Sequence, residues 1–115
     1  MNSAKLDKAK IQMRRGVLEL CVLAIIEREE VYPSDIIERL KDTSLLVRQG
    51  TLYPLLSRLK NEGLLAYTWK ESPSGPPRKY FHITDDGSSF LHHLKSSWQE
   101  LVTAVEQSTQ NNHTA

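Results

Sequence analysis

Between Val17 and Ile26 the chain carries one charged residue, Glu19, and is otherwise apolar. Folded as a helix, this stretch is apolar nearly all round and must be covered on every side, not along one stripe. A chain of 115 residues builds a single modest core. So small a domain cannot enclose the helix alone, so part of its cover is expected from elsewhere. The run is also well short of the roughly 20 apolar residues that span a bilayer, so no membrane partner is expected.

The rest of the pattern surrounds this helix with short elements. The first helix reads from about Ala4 to Glu29 and breaks at Val31-Tyr32-Pro33-Ser34-Asp35, because proline is accepted in a first turn but not in a helix interior. A short second helix follows to about Asp42, with Ile36, Ile37 and Leu40 on one face. A third spans roughly Gln49 to Glu62, where Leu52, Leu55, Leu56 and Leu59 repeat at i, i+3, i+4, i+7. Gly63 supplies a left-handed stop, with Leu64 folding back on Leu59. Pro54 places the start of this helix near Gly50 or Thr51, which keeps its missing N–H within the first turn. Leu65 to Glu71 and Arg78 to Thr84 read as strands, joined by the turn Ser72-Pro73-Ser74-Gly75-Pro76-Pro77. Thr84, followed by Asp85 and Asp86, caps a long helix to about Ser108, and the polar residues 109–115 are expected to be disordered. The fold class is therefore mostly α with a small β-hairpin (α+β). Its order of elements is that of a winged helix-turn-helix over residues 1–84, with a long C-terminal helix over 85–108.

Charge is distributed unevenly. Five basic residues against one acidic give +4 over residues 1–16, and six against two give +4 over 48–84. Residues 17–47 and 85–115 balance at −4 and −3, so the net +1 conceals two basic blocks. Such patches fit a polyanion surface, and they equally fit ordinary solvated charge. The single cysteine, Cys21, excludes an internal disulfide and a cysteine-cluster zinc site. Adjacent His92 and His93 diverge by about 100° on a helix and do not share one ion. No phosphate-binding glycine loop, HExxH or nucleophile elbow is present. No catalytic residues, metal or cofactor are therefore assigned, and the chain reads as no enzyme. The N-terminus lacks the layout of a secretion signal, so the cytoplasm is the expected compartment.

Opposite its leucine stripe the third helix presents Gly50, Pro54, Ser57 and Asn61, flanked by Tyr53 and Lys60 on one edge and by Thr51 and Arg58 on the other. A small, polar face of this kind suits a major groove about 12 Å wide. It also suits a plain solvated helix side. Arg78 and Lys79 follow a proline-stiffened hairpin tip, where a wing would meet the phosphate backbone. Helix and basic wing together point to duplex DNA.

Gly50-Thr51-Leu52-Tyr53-Pro54-Leu55-Leu56, Arg58-Leu59, Glu62-Gly63-Leu64-Leu65 and Arg78-Lys79-Tyr80-Phe81, with Ile83-Thr84 and Gly87, resemble the PadR family of transcriptional regulators. Met13-Arg14-Arg15-Gly16 and Tyr32 with Asp35-Ile36-Ile37 fit its first two helices. The resemblance implies a winged helix-turn-helix with a C-terminal dimerisation helix, and a repressor released by an effector. It places DNA contacts on Gln49, Thr51, Tyr53 and Arg58 and on the wing residues Arg78 and Lys79, to which the helix face adds Lys60. Two positions depart from the family pattern. Pro33-Ser34 stands where relatives often have glycine-tyrosine, and the wing tip offers Gly75-Pro76-Pro77 where arginines are usual.

Gly87, Leu91, Leu94, Trp98, Leu101 and Val105 are spaced 4, 3, 4, 3, 4, a heptad seam that calls for a partner helix. That partner is either the first helix of the same chain or helices of a second copy. The second reading makes Leu91, Leu94, Trp98, Leu101 and Val105 a homodimer interface and predicts a pseudo-palindromic operator. Some relatives bind flat aromatic compounds at such an interface, so Trp98 is also the candidate contact for a small aromatic effector. The competing function is a winged helix that docks another protein through this seam and never touches DNA.

Overall fold

A computed structural model describes residues 3–110. It contains α1 (Ser3–Arg28), α2 (Pro33–Leu40), α3 (Gln49–Asn61), β1 (Leu65–Ser72), β2 (Gly75–Ile83) and α4 (Asp85–Thr109). This is a winged helix-turn-helix followed by a long helix. The core gathers Val22, Leu23 and Ile26 of α1 with Ile36 and Leu40 of α2 and Leu52, Leu56 and Leu59 of α3. Leu65 and Phe81 of the hairpin and Leu91 of α4 close it.

Local chemistry explains most of the element ends. At the close of α3, Leu64 N–H donates to the Leu59 carbonyl and Gly63 N–H to that of Lys60, each at 3.0 Å. Gly63 has φ +80°, the left-handed conformation this cap needs. At the start of α4, Thr84 Oγ1 accepts from Gly87 N–H at 2.9 Å and donates to the Gly63 carbonyl at 2.7 Å. One hydroxyl thus joins the end of α3 to the start of α4. Gly87 is demanded by close approach: a Cβ there would lie 2.0 Å from the Leu64 carbonyl oxygen.

Four of the expected element bounds are corrected. The second helix ends at Leu40, not Asp42. Thr43 ends it by donating both its N–H (3.0 Å) and its Oγ1 (2.7 Å) to the Leu40 carbonyl. The third helix begins at Gln49, so Pro54 lies inside it and deprives the Gly50 carbonyl of its helical donor. The second strand begins at Gly75, taking Pro76 and Pro77 into the hairpin. Ser72 pairs with Gly75, and the register shifts between Lys70 and Ser72. A two-stranded ribbon with such an irregularity can accommodate prolines that an interior strand cannot. The last helix includes Thr109; residues 111–115 of the expected disordered tail lie outside the described residues.

The hairpin is joined on its outer edge by Val31, which exchanges backbone hydrogen bonds with Phe81 at 3.0 and 2.7 Å. The segment leading into α2 is thereby fastened to β2.

The seam of α4 divides. Leu91 is 1% exposed and sits in the chain's own core, which removes it from the expected interface. Leu94 is half-buried against the same core. Trp98, Leu101 and Val105 remain 37%, 53% and 51% exposed. The apolar helix around which the fold was expected to form is likewise covered in part only. Val22, Leu23 and Ile26 are buried, while Leu18, Leu20, Cys21, Ala24 and Ile25 are half-buried.

Candidate nucleic-acid interface

The leucine stripe of α3 faces the core, which leaves Gln49, Thr51, Tyr53, Ser57, Arg58 and Lys60 exposed on its other sides. A groove of about 540 Å³ runs between α3 and the hairpin. Tyr53 and Ser57 line one wall, and Trp69, Pro76, Arg78 and Lys79 line the other.

The cations around this groove are held by aromatic rings. Lys79 Nζ lies 4.5 Å from the Tyr67 ring centroid and 5.5 Å from that of Trp69. Lys60 Nζ approaches the same Tyr67 ring at 5.6 Å from the α3 side. The Arg78 guanidinium lies 4.6 Å from the centroid of Tyr32, at the start of α2. Among the described residues none of these three cations forms an ion pair. An aromatic face attracts a cation without cancelling its charge, so all three stay available to an anion.

Arg58 is placed differently. Its guanidinium pairs with Glu19 of α1 and with Glu62, the residue that caps the end of α3, the latter at 3.1 Å. Hydrogen bonds from both carboxylates raise its pKa, Glu19 contributing most. The charge that interrupts the apolar stretch of α1 therefore has its partner on α3. Arg58 bridges α1 and the end of α3, and its own charge is compensated.

Thr51 and Arg58 face a second groove, of about 640 Å³, on the other side of α3. Arg14, Arg15 and Arg48 complete its cationic lining. Of the residues singled out from sequence, Tyr53, Arg78 and Lys79 thus meet at one groove with Lys60 beside Lys79, and Thr51 and Arg58 meet at the other. Gln49 occupies the first turn of α3 and lines neither. Sequence reasoning missed Tyr32, Trp69 and Arg48 as neighbours of these grooves. The +4 block of residues 1–16 signalled Arg14 and Arg15.

No group of three His, Cys, Asp or Glu among the described residues is placed to hold a metal ion. His93 Nδ1 bonds to the Ser89 carbonyl at 2.9 Å, within its own helix. Burial pushes the Cys21 thiol up from its ordinary pKa, away from the reactive thiolate. No helix among the described residues is long and apolar enough to cross a membrane.

Residues 22–93 match the family model described as the transcriptional regulator PadR-like family. A PadR-like transcription factor from Bacteroides fragilis is 52% identical over 87% of this chain and 97% of its own, with a TM-score of 0.73. A PadR family transcriptional regulator from Eggerthella lenta is 33% identical over 96% of both chains, with a TM-score of 0.86. The fold is also similar to Bacillus subtilis PadR, solved in complex with operator DNA, at 23% identity and a TM-score of 0.63. That likeness covers 68% of this chain and 46% of the other.

Proposed function

The chain belongs to the PadR-like family of transcriptional regulators, and on that premise we propose that it binds duplex DNA as a homodimer and represses transcription until an effector releases it. The observation that carries the reading is the groove between α3 and the hairpin, where Tyr53 faces a wall bearing Arg78 and Lys79. Lys60 stands beside Lys79, and these cations lack acidic partners among the described residues. In this reading α3 enters the major groove, with Gln49, Thr51 and Tyr53 at its N-terminal end reaching base edges and phosphates. Lys60, Arg78 and Lys79 grip the phosphate strand that passes between helix and wing. Arg58, half-exposed and engaged by Glu19 and Glu62, adds a phosphate contact where DNA displaces one of these carboxylates.

Residues 1–84 form the DNA-binding unit and α4 the dimerisation helix. Exposed Trp98, Leu101 and Val105 supply the contact with the second copy, together with the half-buried residues of α1. Two recognition helices about a twofold axis read a pseudo-palindromic operator with half-sites about one helical turn apart. Trp98 is the residue assigned to a small aromatic effector, and the compartment assigned is the cytoplasm.

Footprinting on the DNA upstream of the chain's own gene tests this reading, because it reports binding, operator symmetry and half-site spacing together. With six to ten phosphate contacts, affinity is expected to fall by roughly 10³–10⁵ between 50 and 200 mM salt. Binding that is absent, or flat with salt, would favour a module that docks proteins instead. Arg78→Ala with Lys79→Ala is expected to weaken binding to all sequences, whereas Tyr53→Ala also erodes discrimination between operator and random DNA.

A further inference from the structure

Between the hairpin and the start of α2, four side chains form a column. The Arg78 guanidinium lies 4.6 Å from the Tyr32 ring centroid. Tyr32 lies 5.9 Å from Tyr80, tilted by 49°. Lys70 Nζ lies 5.3 Å from Tyr80, and 2.8 Å from the Glu30 carboxylate. The backbone under Tyr32 is fixed as well. Its neighbour Val31 is bonded to Phe81 in both directions, and its own N–H donates to Asp35 Oδ2 at 3.0 Å.

From this arrangement we propose that Tyr32 is a positioning residue for DNA binding: its ring holds the Arg78 guanidinium in place for a phosphate. The inference rests on the DNA-binding reading above and names a residue that acts through Arg78. A free arginine on a wing must lose much rotamer freedom when it docks. A carboxylate partner would restrict it too, but would cancel its charge and occupy its N–H donors, as Glu19 and Glu62 do to Arg58. A ring face restricts the guanidinium while its N–H groups, which lie in the guanidinium plane, stay open for a bidentate phosphate contact. Because Tyr32 belongs to the segment that starts α2, it also ties the wing's cation to the helix-turn-helix rather than to the hairpin alone.

The test uses the full chain and a fluorescein-labelled random-sequence duplex of about 40 base pairs, since a phosphate contact is independent of sequence. Tyr32→Phe keeps the ring and is expected to bind within about twofold of wild type. Tyr32→Leu removes it and is expected to weaken binding about fivefold. The Tyr32→Leu/Arg78→Ala double variant is expected to bind no more weakly than Arg78→Ala alone, because the ring acts only through the arginine. Thermal melting checks each variant, and Tyr32→Met takes the place of the leucine variant if that one melts below the working temperature. Wild-type-like binding by the ring-less variant overturns the proposal. So does a loss that multiplies with that of Arg78→Ala, or a Tyr32→Phe as impaired as Tyr32→Leu. Wild-type protein that shows no salt-dependent binding removes the DNA reading itself, an outcome distinct from these three.

Discussion

In the first half of α4, Gly87 and Leu91 press into the chain's own core, whereas Trp98, Leu101 and Val105, on the same seam, are exposed. The spacing does not change along the helix; the surroundings do. Beyond Leu94 no residue of α4 is buried, and only Val102 is half-buried. The half-buried residues of α1 reflect the same shortage of cover. A heptad pattern therefore reports that a helix requires a partner, but not whether one partner serves its whole length.

Substitutions along α4 separate the two halves. Gly87→Ala is expected to have the largest effect, because its Cβ would meet the Leu64 carbonyl oxygen at 2.0 Å. A loss of about 4 kcal/mol in urea unfolding is expected, far beyond the small gain in helix propensity. Leu91→Ala comes next, at about 3 kcal/mol for a buried leucine replaced by alanine. That loss is expected to be independent of protein concentration; a loss that grew on dilution would place Leu91 in an interface after all. Leu101→Lys with Val105→Lys is expected to leave dilute protein as stable as wild type and to weaken self-association about a hundredfold by sedimentation equilibrium, about 2.7 kcal/mol. Unchanged association would break the contrast between the halves. The smallest effect concerns Trp98. In a Trp69→Phe background its emission is expected to shift to the blue as concentration rises through the association range. An emission maximum that stays constant would remove Trp98 from the second copy's footprint. Titration of aromatic compounds in the same background tests the effector assignment, for which a flat response in emission and in DNA affinity is the adverse result.

Much of the fold was legible because its signals are local. The Gly63 cap and the Thr84 cap each join groups a few residues apart, and the leucine stripe of α3 needs only helical geometry. The misses involve partners distant in sequence. The ion pairing of Arg58 could not be read from α3 alone, since its first carboxylate, Glu19, stands 39 residues earlier. Nothing near Arg78 announces Tyr32, which reaches it only after Val31 pairs with Phe81. The prolines after Gly75 read as loop because a strand normally uses their missing N–H, a rule that a two-stranded ribbon relaxes.

Thr84 Oγ1, bonded to both the Gly63 carbonyl and the Gly87 N–H, ties two helices together at a single atom. On one side lies the last turn of α3; on the other α4 extends 25 residues, a lever of about 37 Å. Tilting that lever by about 5° sweeps its tip through about 3 Å, close to the roughly 3.4 Å step between neighbouring base pairs. Gly87 and Leu91, packed into the core just beyond this joint, oppose such a tilt, so the outer half of α4 is carried as a stiff arm whose direction is set where it leaves α3.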